Sequence, residues 1–294
     1  MHTATYYIDL LLSGITVGSL YALIAIGYTM VYGILRLINF AHGDIFMMSG
    51  FFMIYVSATL PMAVSIPVVL LMTVLLGVLI ERAAYKPLRS APRMSVMISA
   101  IGVSYLLQNL ATYITGGLAR PYPEISFLKK SFAVGSLNIK IITLLTPVLT
   151  ILLVISLVIF IKHTKTGMAM RAVSKDFDTA RLMGIKVNSV ITVTFIIGSF
   201  LAGVGSILYF TNYGQVSPTI GAMPGLKAFV AAVFGGIGSI PGALVGGFLI
   251  GLCETFIKGS AYSEFSDVFT FVVLILVLLV KPTGLLGKPV REKV

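Results

Sequence analysis

The sequence predicts an all-α, polytopic integral membrane protein with about eight transmembrane helices, in a range of seven to nine. Of the 294 residues, 57% are hydrophobic and 11% are charged, and the mean hydropathy of +1.03 exceeds that of soluble domains. Apolar runs close to the ~20 residues that cross a bilayer recur along the chain. Short segments rich in Lys and Arg separate them, which is typical of cytoplasmic loops. This composition excludes a water-soluble enzyme.

Eight apolar runs are candidate membrane elements, because charged or helix-breaking residues separate each from the next. They cover residues 8–32, 44–60, 65–80, 94–114, 139–161, 188–213, 226–257 and 265–280. The stretches between them are too short for a catalytic domain, so we interpret residues 1–294 as a single transmembrane domain. The first run follows no basic segment and precedes no cleavage site, so we expect it to remain as a membrane helix.

The net charge of +11, from 21 Lys and Arg against 10 Asp and Glu, indicates membrane topology and not nucleic-acid binding. The basic residues fall mostly in three segments that we interpret as cytoplasmic. These segments contain Arg82, Lys86, Arg89 and Arg93; then Lys162, Lys165, Arg171, Lys175, Arg181 and Lys186; then Lys281, Lys288, Arg291 and Lys293. Counting crossings places the amino terminus outside and the carboxyl terminus in the cytoplasm.

The same count predicts that the loop of residues 115–138 lies outside. Its own Arg120, Lys129 and Lys130 oppose that assignment. We keep it because the crossing count constrains three loops at once, and a longer translocated loop can carry charge regardless of the rule.

The last third of the chain predicts a broken membrane helix. An even number of crossings is needed between Lys186 and Lys281, but only three apolar runs are present. Residues 226–257 exceed one span and contain breakers at 235–242, so half-helices or a re-entrant hairpin would restore the count. Irregular backbone at membrane depth is tolerated where it lines a cavity, which indicates a pathway. The alternative is one long, tilted and kinked helix.

A second interruption, at residues 33–44, places Arg36, His42 and Asp44 among apolar residues. Ionisable groups inside a membrane are costly and usually face a bundle interior or water. The segment is therefore a candidate functional site. The alternative is that Arg36 and Asp44 lie at the cytoplasmic interface, where one helix ends and the next begins.

Glycines at four-residue spacing predict close helix contacts rather than substrate binding. Gly14 and Gly18 lie in the first run, and Gly238, Gly242, Gly246, Gly247 and Gly251 lie in or just after the break at 235–242.

The chain carries no recognisable machinery for hydrolysis or metal binding, so we predict neither an enzyme nor a cofactor. A P-loop ends in Gly-Lys-Ser or Gly-Lys-Thr, whereas the Gly-Lys pair at 287–288 is followed by Pro289. The three histidines, His2, His42 and His163, lie far apart, and Cys253 is the single cysteine.

Residues 162–186 form the most structured polar loop. Asp176 is a candidate N-cap and Gly184 a candidate C′ residue of a two-turn helix. Its apolar side would consist of Phe177, Ala180 and the pair at 182–183. Such a side must be buried either on the membrane surface or in the groove of a soluble partner, and the residues alone favour neither.

Three stretches resemble the permease subunits of bacterial branched-chain amino acid ABC importers, specifically the H-type subunit. They are GILRLINFAHGDIFMMSGF at 33–51, GMAMRAVSKDFDTARLMGIKV at 167–187 and FVAAVFGGIGSIPGALVGGFLIG at 229–251. The ending KPTGLLG at 281–287 is also similar to the family. Together with length and spacing, the resemblance covers essentially the whole chain.

The resemblance implies a permease subunit in the bacterial cytoplasmic (inner) membrane. Its partners would be a related M-type permease, two cytoplasmic ABC ATPases and an extracytoplasmic solute-binding protein. Its substrates would be leucine, isoleucine and valine, although urea, short amides or other amino acids are alternatives. A channel or an ion-coupled carrier using Asp44, His42 or Glu254 is a further alternative.

The resemblance also implies two groups of functional residues. The translocation pathway would be bordered by Arg36, Asn39, Phe40, His42, Asp44, Gly235, Gly236, Gly238 and Pro241. The loop that couples transport to the ATPases would use Arg171, Asp176, Ala180, Arg181 and Gly184. As a hypothesis, Arg36, His42 and Asp44 would interact with the two charged ends of a zwitterion.

Overall fold

The computed structural model describes residues 2–89, 91–134 and 137–287 of the chain. Seven helical segments in these ranges are long and apolar enough to cross a membrane, which confirms the all-α, polytopic fold at the lower end of the expected range. Lys288, Arg291 and Lys293, which the sequence predicts to be cytoplasmic, lie outside the described residues.

The described residues form twelve α-helices and four short strands. The helices are α1 (His2–Leu35), α2 (His42–Ser57), α3 (Met62–Ile80), α4 (Arg93–Thr115), α5 (Ser126–Lys129), α6 (Ile141–His163), α7 (Lys165–Lys175), α8 (Phe177–Leu182), α9 (Val187–Tyr213), α10 (Ala222–Gly235), α11 (Ile240–Lys258) and α12 (Ser266–Val280). A π-helical turn, Glu81–Tyr85, extends α3, and a 3₁₀ turn, Ser263–Phe265, precedes α12. The strands are β1 (Arg120–Pro121), β2 (Ser131–Val134), β3 (Leu137–Lys140) and β4 (Gln215–Val216).

Helix α1 lies in the core because it is apolar on all sides, as expected of a helix surrounded by others. Residues 20–26 are almost fully buried. It packs antiparallel against α11, with Gly14 beside Leu252 and Gly18 beside Phe248. A Cβ atom on Gly251 would lie only 2.2 Å from the Gly18 backbone. The glycine spacing therefore produces the close contact that the sequence predicted.

The apolar run 226–257 consists of two helices, so the single kinked helix is wrong. Helices α10 and α11 form an antiparallel hairpin in which Gly235 faces Gly242 and Ala231 faces Gly246. Between them, Gly236 and Gly238 adopt φ angles of 109° and 92°, which residues with a Cβ rarely reach. The run therefore contains the hairpin that the parity argument predicted, made of α11, which is long enough to cross a membrane, and α10, a shorter apolar helix of 14 residues.

The polar segments of the chain gather at two ends of the molecule. At one, which we call the basic end, Arg89 donates to the side-chain oxygen of Asn188 at the start of α9. There the N–H groups of Leu285 and Leu286 also donate to carbonyls at the end of α10. Helix α9 has 27 residues and so leads about 40 Å away to the other end.

We call that other end the hairpin end, because β2 and β3 form an antiparallel hairpin there. The predicted external loop, residues 115–138, contains strands β1 and β2, the start of β3 and the short helix α5. Strand β1 of this loop also pairs with β4, directly after α9. The described residues of the three basic segments and those of the loop 115–138 therefore lie at opposite ends.

Candidate functional site

A cavity of about 330 Å³ lies between α1, α2, α4 and α10, and we call it the Asp44 cavity. It exists because α2 starts beside the first residues of α10. A Cβ on Gly43 would lie 2.6 Å from the Gly221 carbonyl oxygen, so only glycine allows this approach. The cavity is lined by Tyr28, Ile38, Phe40, Gly43, Asp44, Ile101, Ser104, Tyr105, Gln108, Gly221, Ala222, Gly225, Leu226 and Phe229.

Asp44 supplies the only charged side chain among the described residues that line this cavity. It is 2% exposed, and its Oδ1 accepts a hydrogen bond from Nε2 of Gln108 at 2.9 Å. It lies in the first turn of α2, where the helix dipole favours a negative charge. No cation pairs with it in the described part of the chain. The carboxylate is therefore available to a positively charged ligand.

The remaining walls of the cavity are mostly apolar or aromatic. The rings of Tyr28 and Phe229 meet edge to face with centroids 6.0 Å apart. Phe40, Ile101 and Leu226 add further apolar surface. One carboxylate among apolar walls suits a small ligand that carries a cationic group beside a hydrocarbon chain.

Sequence reasoning missed the two polar residues of α4 that border Asp44. Ser104 and Gln108 are four residues apart, so they lie on one helix face, and Nε2 of Gln108 donates to Oγ of Ser104 at 3.2 Å. Two polar residues at this spacing inside the apolar run 94–114 are the feature of the sequence that could have identified them as site residues.

Two predicted pathway residues are packed elsewhere. The buried Asn39 accepts a hydrogen bond from the Tyr85 hydroxyl at 2.8 Å. The His42 ring lies 4.8 Å from the Tyr28 ring, at a point where Gly27 has no Cβ to obstruct it. Neither side chain lines the Asp44 cavity, whereas Phe40 does.

A second cavity, of about 650 Å³, lies at the basic end, and we call it the basic-end cavity. It is lined by Arg36, Gly238, Pro241 and Arg171, among others. The two chain interruptions meet beside it, because a Cβ on Gly33 would lie 3.6 Å from the Gly238 Cα. Arg36 itself has a φ of 52°, the one non-glycine residue of the described chain with positive φ.

Arg36 and Asp44 therefore line different cavities, and His42 lines neither. The hypothesis that these three side chains act together on one zwitterion is not supported by this arrangement. Of the other predicted residues, Gly235 packs against Gly242, and Gly236 packs against Gly287. Both glycines shape the turn between α10 and α11, and neither lines the Asp44 cavity or the basic-end cavity.

The predicted coupling loop forms α7 and α8. Oδ1 of Asp176 accepts hydrogen bonds from the N–H groups of Asp178 and Thr179 at 2.8 and 3.0 Å, so it caps α8 as expected. Gly184, with a φ of 79°, ends the helix. Its N–H donates to the Arg181 carbonyl and that of Ile185 donates to the Ala180 carbonyl, which is a Schellman motif.

The apolar side of α8 is only partly packed. Ala180 is buried, but the side chains of Leu182 and Met183 are 88% and 77% exposed. Arg171 of α7 donates to the Lys162 carbonyl at 3.2 Å, while Arg181 is exposed. Two large, exposed apolar side chains at the tip of a polar loop are typical of a contact with a protein or with the membrane surface.

Residues 10–278 match the family described as "Branched-chain amino acid transport system / permease component". The chain belongs to this family of permease components. It is 43% identical to the high-affinity branched-chain amino acid transport system permease protein BraD of Pseudomonas aeruginosa, over 98% of both chains. It is 42% identical to the LivH permease protein of Escherichia coli, again over 98% of both chains.

A more distant relative is also named as a branched-chain amino acid transport permease. The permease is 28% identical to the probable branched-chain amino acid transport permease protein LivH of Methanocaldococcus jannaschii, over 92% of this chain and 89% of that protein. These relatives are transport permeases and not enzymes. The chain is accordingly a multi-pass membrane permease component, as its residues predicted.

The cap of α8 predicts a pH dependence of the loop of residues 162–186. The Thr179 N–H, together with that of Asp178, lowers the pKa of the Asp176 carboxyl. A lowered native pKa stabilises α8 above the ordinary Asp range, and this stabilisation disappears as pH falls through the native value. We expect hydrogen-exchange protection of residues 177–183, corrected for intrinsic rates, to fall as the medium is acidified. Asp176→Asn keeps a capping oxygen without a titration, so an identical pH dependence in that variant would contradict the assignment.

Proposed function

We propose that this chain is the membrane-spanning permease subunit of an ABC importer and that it passes leucine, isoleucine and valine through the Asp44 cavity. The single observation that carries the proposal is the buried Asp44, which has no cationic partner among the described residues, in a mostly apolar cavity. The names of the BraD and LivH relatives support the same substrate class.

The chemistry of the cavity fits these substrates. The α-ammonium group would bind the Asp44 carboxylate, beside the amide of Gln108 and the hydroxyl of Ser104. The aliphatic side chain would lie against Phe40 and Phe229, where burial of hydrocarbon is favourable. The substrate's carboxylate would next meet the basic-end cavity, whose lining includes Arg36.

The open side of the Asp44 cavity supports a second permease subunit as a partner. Three of its lining side chains are large and apolar yet substantially exposed, namely Ile101 at 39%, Tyr105 at 63% and Leu226 at 40%. A pathway bounded only by this chain would open sideways to lipid beside the polar side chains of Asp44, Ser104 and Gln108. A related M-type subunit packed on this face would close it.

The coupling loop supports the ATPases as further partners. Leu182 and Met183 project from the basic end, next to Arg181 and the Schellman turn. We infer that they enter a groove on a cytoplasmic ATPase, one for each of the two permeases. The basic end then faces the cytoplasm, as the positive-inside rule requires, and the amino terminus and the hairpin end face the solute-binding protein.

Purification in a mild detergent from native membranes, followed by mass spectrometry, tests the assembly. We expect a second polytopic subunit and P-loop ATPases to accompany this chain. A chain that moves solute alone after reconstitution, without ATP, would contradict the proposal and support a channel or an ion-coupled carrier.

Replacing Asp44 by Asn tests the pathway. A hydrogen bond to a charged group contributes roughly 1.5–3 kcal/mol, so ATP-dependent leucine uptake by the assembled importer is expected to fall about tenfold or more. Asp9→Asn, which removes an exposed carboxylate of the same helix bundle, is the matched control. Unchanged uptake in Asp44→Asn would exclude ammonium recognition there, and equal loss of urea uptake would point to a different substrate class.

A further inference from the structure

A notch at the basic end, away from both cavities described above, is lined by polar and basic side chains. It has a volume of about 320 Å³ and lies between the π-helical turn after α3 and the first turns of α9. We call it the basic notch. Its lining consists of Glu81, Arg82, Lys86, Arg89, Asn188, Ser189, Thr192 and Val193.

At the floor of the notch, the negative charge of Glu81 is already paired with Arg89. Glu81 is fully buried, and its carboxylate accepts hydrogen bonds from Arg89 and from the Thr192 hydroxyl. The other two basic residues, Arg82 and Lys86, are exposed, and no described residue forms an ion pair or hydrogen bond with either side chain. Two positive charges therefore remain unpaired at the rim.

The notch lies at the ends of two helical segments that are long and apolar enough to cross a membrane. Arg82 is inside the candidate span Met62–Tyr85, and Thr192 is inside the span Val187–Tyr213. Thr192 is five residues after Val187, which places it about 7.5 Å into the helix. Lipid headgroups lie at the ends of membrane-spanning helices, so the notch is positioned to meet them.

An exposed apolar stripe leads along α3 to the notch. Leu71, Leu75 and Leu79 follow one another at four-residue spacing and are 59%, 57% and 62% exposed. Arg82 continues the same helix face by one further turn. Hydrocarbon surface followed by two unpaired cations is complementary to an anionic amphiphile.

We propose that the basic notch binds the phosphate headgroup of an anionic phospholipid. Arg82 and Lys86 bind the phosphate, the Asn188 and Ser189 side chains border the headgroup, and the acyl chains follow the leucine stripe. Arg181 of the coupling loop is within electrostatic range of Arg89. The bound anion would thus weaken the repulsion between α8 and the first basic segment.

The test uses the full-length chain in detergent, incubated with an equimolar mixture of phosphatidylglycerol and phosphatidylcholine and examined by native mass spectrometry. We expect the wild-type chain to retain phosphatidylglycerol preferentially. In the variant R82Q/K86Q, this preference is expected to fall about 10- to 30-fold. Each basic residue near a membrane surface strengthens binding of an anionic lipid about fivefold, and the variant lacks two of them.

Two control variants accompany the test. K165Q/K175Q removes two exposed charges of the same end and is expected to keep the preference, and R82K/K86R should retain it because the charges remain. An undiminished preference in R82Q/K86Q, with elution as for the wild type, overturns the proposal. Displacement of the lipid by millimolar inorganic phosphate would instead assign the notch to a free anion. A loss seen only when the copurified ATPases are present would assign it to a protein contact.

Discussion

Replacing Gly251 by alanine is expected to destabilise the permease severely. The new Cβ would lie 2.2 Å from both the Cα and the N of Gly18, so backbone, and not a flexible side chain, would have to move. Both α1 and α11 contribute to the buried core, which resists such a shift. Overpacking typically costs 1–3 kcal/mol and occasionally more, and we expect a value of about 3 kcal/mol or above. Thermal unfolding of the purified chain in detergent measures it.

Gly102→Ala is the matched control. Gly102 lies in α4, and a Cβ there would meet no atom within 4 Å. Because glycine in a helix interior is about 1 kcal/mol less favourable than alanine, this variant is expected to be as stable as the wild type or slightly more so. Equal destabilisation by the two substitutions would show that the α1–α11 contact is looser than described.

Replacing Lys227 by methionine is the second change with a large expected effect. Lys227 is buried in α10, and its Nζ lies 2.7 Å from Oε1 of Glu254 in α11 and 2.6 Å from Oδ1 of Asp267 in α12. It thereby ties three helices together. Without it, the buried Glu254 keeps only the half-exposed Lys258 as a cationic partner. Breaking a buried pair costs about 3–5 kcal/mol, measurable as a lower unfolding temperature.

Two further variants separate this effect from loss of packing. Lys227→Met combined with Glu254→Gln removes both charges, and we expect it to recover much of the stability, because no uncompensated carboxylate is left buried. Lys129→Met disrupts the exposed pair with Glu124 at the hairpin end and is expected to change little. A double variant no more stable than Lys227→Met alone would contradict a charge-based explanation.

The same ion cluster bears on the alternative transport mechanism. An ion-coupled carrier was conceivable with Glu254 as the coupling carboxylate, but this side chain is held by Lys227 and Lys258. Lys227 was not recognised in the sequence as its partner. The two residues are 27 positions apart, and they meet only because the hairpin of α10 and α11 folds back on itself.

Local signals predicted local structure well. The cap at Asp176 and the end at Gly184 depend on hydrogen bonds within a few residues, so their residue types suffice to place α8. The interruptions at 33–44 and 235–242 were likewise visible, because helix-breaking residues act on the backbone where they occur. The exposure of Leu182 and Met183 was not visible, since it depends on what packs against α8.

The sequence by itself determined the membrane class, the two interruptions, the close glycine contacts and the family. These follow from composition, from backbone preferences and from the ordered motifs, none of which requires distant contacts. Only the tertiary structure decided that Asp44 opens into a cavity with Gln108, that Arg36 lines a different cavity and that His42 is enclosed beside Gly27. Asp44 and Gln108 are 64 residues apart in the sequence. They meet because α2 packs against α4 and α10, and this packing depends on many weak contacts that cannot be predicted from any single motif.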